Sequence, residues 1–149
     1  GYEELLYRVR RPYTPEMLDM IDYWMGLEKR DWREETQREV MLALYAIRYP
    51  DTLLLESFTE KARSDLRRLS AYLHFTNHTY AIWDDDTRRG LVKLGIEIPA
   101  TESADPFVYG AYVSAIELLK DVAPFTCFIE HDVPRQRLFQ AALAAYGRE

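Results

Sequence analysis

The stretch that begins Ser57-Phe58-Thr59-Glu60 limits the fold more than any other. Serine followed three residues later by glutamate is a capping box, in which each side chain satisfies a backbone N–H that the first helical turn leaves open. Behind it Ala62, Leu66, Leu69, Leu73 and Tyr80 recur at helical spacing and make one apolar stripe. The spacing predicts a helix running from this cap toward Trp83. A helix with a single apolar stripe must bury that stripe against other elements.

The rest of the chain offers mostly more helices. Thr14-Pro15-Glu16 reads as an N-cap followed by proline at the first helical position. The helix it opens carries Met17, Leu18, Ile21, Trp24, Met25 and Leu27, with Gly26 weakening it near its end. A second start falls at Asp31, with Glu34 three residues on, and leads through Val40, Leu42, Leu44 and Ile47 to a stop before Pro50. The short run DTLLLE follows and reads as either a helical turn or a strand. Asp84–Asp86 leads into TRRGLVKLG, with Gly95 as its stop, and Asp105-Pro106 repeats the cap-plus-proline start. That helix runs through Val113, Ile116, Leu118 and Leu119 to a stop before Pro124. A last helix begins after Asp132-Val133-Pro134 and passes through Leu138, Phe139, Ala142 and Leu143, with Gly147 at a frayed end. The expectation is a mainly α fold, one domain over residues 1–149 with about six helices. Residues 96–98 and 125–130 have strand character and leave room for a minor two-stranded β element.

Charge narrows the function classes. The formal net charge is −6, whereas a general nucleic-acid binder needs a basic field. Basic clusters at Arg8, Arg10 and Arg11, at Arg63, Arg67 and Arg68, and at Arg88 and Arg89 each have acids nearby, which reads as a mixed-charge face. No apolar run approaches the roughly 18 residues a membrane span needs. The single cysteine, Cys127, lies in apolar PFTCFIE and reads as a small buried hydrophobe; it points mildly to a reducing, cytoplasmic setting.

The segment HFTNHTYAIWDDD holds two of the chain's three histidines and its aspartate run. His74 and His78 are four apart and share a helical face. Imidazoles at that spacing can hold one Zn or Fe ion, with Asp85 and His131 as further ligands. At about 100° per residue, however, His74 and His78 fall on the side away from the apolar stripe, whereas metal sites in helical bundles point inward. No E-x-x-H or H-E-x-x-H pattern occurs. Asp84–Asp86 offers oxygen ligands for Mg²⁺, but the second acidic cluster such sites use is interrupted by Arg38. The same face, carrying Tyr72, His74, Phe75 and His78, suits a partner contact, since aromatic residues are enriched at interfaces.

No phosphate-binding glycine loop and no nucleophile elbow is present. Eleven tyrosines, three tryptophans and many arginines on an acidic helical chain suit an interaction module: a regulator, accessory subunit or assembly factor. Its partner would be another protein or a second copy, with no cofactor. The rival expectation is a small metal-dependent enzyme built on His74, His78, Asp85 and His131. The N-terminal stretch YEELLYRVRRPY is amphipathic and has two options, docking back on the domain or onto a partner.

Overall fold

The computed structural model describes residues 1–46, 58, 62, 64–100, 105–122 and 133–149. Among these the chain forms seven helices and no strand, so it is mainly α. They are α1 (Tyr2–Arg8), α2 (Pro15–Met25), α3 (Glu34–Ala46), α4 (Leu66–Thr76), α5 (Asp85–Lys93), α6 (Pro106–Val122) and α7 (Arg135–Arg148). The expected ribbon gains no support on its first half, because residues 96–98 are not in a strand. Its second half, the capping box at Ser57 to Glu60, the run DTLLLE, Cys127 and His131 lie outside the described residues, apart from Phe58, which is buried.

Local chemistry sets the helix ends. Thr14 caps α2, accepting from the Met17 N–H at 3.3 Å, and Pro15 occupies the first helical position. Gly26 ends that helix at φ 67°, a left-handed conformation that glycine adopts without a Cβ penalty, so Leu27, expected on the helix, lies beyond it. Asp84 caps α5 through the Thr87 N–H and hydroxyl, and Asp105 does the same for α6 through the Phe107 N–H. The start expected at Asp31 is displaced: α3 begins at Glu34.

The central element is α4. Its predicted stripe is buried, with Leu66, Leu69 and Leu73 at no more than 1% exposure. So is nearly everything else on it, including Arg68, Ser70, Tyr72, His74 and Phe75; Arg67 alone is open to solvent. Helices α2 and α3 pack on α4, and α1 packs on α2. A helix covered on all sides is a core helix whatever its polarity. The reading of an outward face at Tyr72, His74 and Phe75 is therefore corrected, because α1 and α2 close over it. Tyr2 makes tilted ring contacts with His74 and Phe75 at centroid distances of 5.7 and 5.4 Å, and Trp24 meets Phe75 edge-on at 5.8 Å. Of the two options for the N-terminal stretch, the structure shows it docked back on the domain.

The second half is built on α7, which packs against α5 and α6. The α5–α7 crossing brings backbone to backbone at Gly90 and Gly147. A Cβ on Gly90 would lie 3.0 Å from the Leu143 carbonyl carbon and closer still to its oxygen. A Cβ on Gly147 would lie 2.8 Å from the Gly90 nitrogen and closer still to the Asp86 oxygen. Gly147 is thus a buried crossing residue and not the frayed end its position suggests.

Candidate interaction surface

The segment HFTNHTYAIWDDD resolves into scaffold. The helix stops at Thr76, short of the predicted extension, because the Asn77 side chain accepts from the Thr79 N–H at 3.0 Å and closes a local turn. Residues 79–83 then run without helix through the core. A buried backbone has to find hydrogen-bond partners, and here side chains supply them. Gln136 Nε2 donates to Thr79 O at 3.2 Å and His74 Nδ1 donates to Tyr80 O at 2.8 Å. Tyr109 and Tyr112 hydroxyls donate to Ala81 O and Ile82 O, each at 2.7 Å, with Gln140 Nε2 also on Ile82 O. The Trp83 N–H donates to Ser70 Oγ at 2.7 Å.

His74 is fully buried, and both of its nitrogens are engaged. Nδ1 holds Tyr80 O, while Nε2 accepts from the Tyr2 hydroxyl at 2.6 Å. Burial, partly opposed by the hydrogen bond to Tyr80, lowers its pKa to about 3, so the ring is neutral. That leaves no lone pair for a metal. His78 stays at the surface beside it, with ring centroids 5.4 Å apart. Asp85 is exposed and pairs with Arg88 and Arg89, and Asp86 pairs with Arg89 and Arg148. The four-ligand set of His74, His78, Asp85 and His131 is not assembled: its first member is occupied, its third is committed to arginines, and His131 lies outside the described residues. Among the described residues no three His, Cys, Asp or Glu side chains are grouped to hold an ion.

Tyr72 belongs to a buried polar cluster. Its hydroxyl donates to Asp22 Oδ1 at 2.6 Å, and Arg30 Nη1 donates to Asp22 Oδ2 at 2.6 Å and to the Tyr72 oxygen at 3.2 Å. Arg68 Nε lies 3.5 Å from Asp22 and 3.4 Å from Asp65. Burial pushes the Asp22 carboxyl upward, and the Tyr72 hydrogen bond and the two guanidinium charges pull it back only in part. Of the four residues expected to meet a partner, Tyr72, His74 and Phe75 are therefore covered by this chain's own helices, and only His78 reaches the surface.

Sequence reasoning missed the surface that the structure does expose. On α6, Tyr109, Tyr112, Val113 and Ile116 face the core. On the opposite side Phe107, Leu118 and Val122 are 75%, 72% and 77% exposed, with Ala111 and Ser114 between them. Leu118, named with Val113 and Ile116 along this helix, is thus a surface residue where they are core. The available signal was a helix apolar on two faces, which one amphipathic stripe does not account for. Three other exposed aromatics sit with cations, Arg10 over Tyr7 at 4.4 Å, Arg11 over Tyr45 at 5.9 Å and Lys93 over Tyr146 at 5.1 Å, and a fourth, Tyr23 on α2, is 89% exposed. Acids pair with one arginine in each basic cluster, Arg8 with Glu4, Arg68 with Asp65 and Arg88 with Asp85. No helix among the described residues is long and apolar enough to cross a membrane. Comparison with protein-family models, curated proteins and solved structures finds no match to this chain.

Proposed function

We propose that the chain is a cytoplasmic protein–protein interaction module, a regulator, accessory subunit or assembly factor, that docks helix-on-helix along α6. One observation carries this reading: Phe107, Leu118 and Val122 stand exposed on one side of a helix whose other side already fills the core. Large apolar side chains at helical spacing are the anchors of helix-in-groove contacts, and burying each is worth about 1.5–3 kcal/mol.

The stripe is also self-complementary. An antiparallel copy turned about a two-fold axis between positions 112 and 113 sets Phe107 opposite Leu118 and Ala111 opposite Ser114. Large then meets large and small meets small, as an isologous interface requires. A second copy is accordingly the first occupant to test. Sedimentation equilibrium should find a dimer, and Phe107→Glu combined with Leu118→Glu should weaken it at least about thirtyfold, the equivalent of about 2 kcal/mol. A monomeric wild type removes self-pairing. Capture of a partner that the double variant leaves intact removes α6 as the docking face.

A further inference from the structure

A second feature, independent of α6, is a cleft of about 330 Å³ between the end of α2, the start of α4, the buried connector and α7. Its size is that of a small-molecule site. Three guanidinium groups line it, Arg67, Arg137 and Arg148, against a single carboxylate, Asp84. The lining is thus formally +2 on a chain whose net charge is −6.

The arginines are unevenly neutralised. Arg148 pairs with Asp86 at 3.2 Å. Arg67 donates only to a backbone carbonyl, Met25 O, at 3.3 Å. Arg137 donates to Gln140 Oε1 at 3.0 Å and lies 5.4 Å from the ring centroids of both Tyr2 and Trp24. Among the described residues neither Arg67 nor Arg137 has a carboxylate at ion-pair distance. Asp84 acts on Arg137 only from beyond ion-pair distance, with Oδ2 held by the Thr87 N–H and hydroxyl at the start of α5. Arg137 is part-buried, and a cation withdrawn from water without a counter-charge is costly. Its rings offset some of that cost. A guanidinium fork matches phosphate and carboxylate oxygens two at a time. Beside the cations, Trp83, Ala141 and Ala144 give the cleft an apolar wall.

We infer that this cleft binds a small dianion, a phosphomonoester or a dicarboxylate, with Arg67 and Arg137 gripping the charged oxygens and the apolar wall taking the body of the molecule. The cleft is a ligand site of the folded chain, and its occupant supplies the counter-charge at ion-pair distance that Arg137 lacks among the described residues.

Isothermal titration at low salt with three probes tests this: inorganic phosphate, phenyl phosphate and succinate. Saturable one-to-one binding of at least one probe is expected, weakening as salt rises. Phenyl phosphate binding tighter than inorganic phosphate identifies the phosphomonoester arm; succinate binding alone identifies the dicarboxylate arm. Arg137→Gln also strips a cation from Tyr2 and Trp24 and can loosen α1, so the deciding variant is Arg67→Gln, at an exposed position with one hydrogen bond. It should weaken binding at least about tenfold with an unchanged circular dichroism spectrum, while Arg38→Gln on α3 leaves binding intact. Absence of saturable binding by all three probes overturns the proposal. So does equal binding by wild type, Arg67→Gln and Arg38→Gln, which would place the anion on the general surface.

Discussion

Replacing Gly90 by alanine puts a number on the α5–α7 crossing. In an exposed helix interior the change stabilises by about 0.8–1 kcal/mol, because alanine gives up less backbone entropy. Here the new Cβ meets Leu143 at its carbonyl oxygen, at 3.0 Å from its carbonyl carbon and at 3.4 Å from its Cα. All three atoms are backbone, so no side chain can swing aside. Apolar carbons prefer separations of about 3.5–4.0 Å, and an opening of even 0.5–1 Å forfeits about a quarter to a half of each contact along the seam. Overpacking of this kind costs about 1–3 kcal/mol, and against backbone that cannot swing aside the upper end, about 3 kcal/mol, applies and exceeds the propensity gain. The expected net loss is about 2 kcal/mol, which lowers Tm by about 4–8 °C for a chain of this length. Urea unfolding followed by circular dichroism reads it directly, and the m-value should not change. Gly147→Ala should cost less, since Gly147 lies one residue from the helix end and the last turn can unwind. A Gly90→Ala protein as stable as the wild type, or more so, would refute the backbone contact.

Acid and the buried polar cluster supply the other tests. His74 is neutral when folded, with a pKa of about 3 against an ordinary 6.5, so the unfolded chain binds the extra proton. Its contribution is fully present above pH 6.5 and is lost as pH falls toward 3, about 2 kcal/mol of it between pH 7 and 5. Urea titrations at both pH values should show that slope in the wild type and a shallower one in His74→Gln; equal slopes would contradict a buried neutral ring. Asp22→Ala removes the carboxylate that Arg30 and Arg68 share, leaves them Asp19 and Asp65, and should cost about 1.5–3 kcal/mol, against about 1–2 kcal/mol for Tyr72→Phe. Losses below 1 kcal/mol in both variants would show that the cluster is open to water.

What the sequence made legible was mostly local. Thr14, Asp84 and Asp105 are caps because a short acceptor side chain ahead of a helix has one obvious use, and each does cap. The apolar stripe of α4 was legible for the same reason. Its other face was not, since Ser70, Tyr72 and His74 look like surface residues in any hydropathy pattern. Their partners, Trp83, Asp22, Tyr2 and the Tyr80 carbonyl, lie 6 to 72 positions away. Polarity in a sequence does not separate a wet side chain from a buried one that has found its partner. The α6 stripe was hidden by the opposite error. Leu118 looks like core because it is leucine, and only the placement of Tyr112 and Ile116 inward turns it outward.

The cluster around Asp22 has a consequence for how sequences of this fold can diverge. Asp22, Arg30, Arg68 and Tyr72 share one set of hydrogen bonds and charges, so a change in one member weakens the pairing of the others, with Asp19 and Asp65 as the remaining acids beside Arg30 and Arg68. An apolar replacement of the whole set would be tolerated far better than any single loss. In descendants and relatives these four positions should therefore travel together, all polar or all apolar. A homologue that keeps Arg68 while losing Asp22 should keep Asp65, the other acid within reach of it.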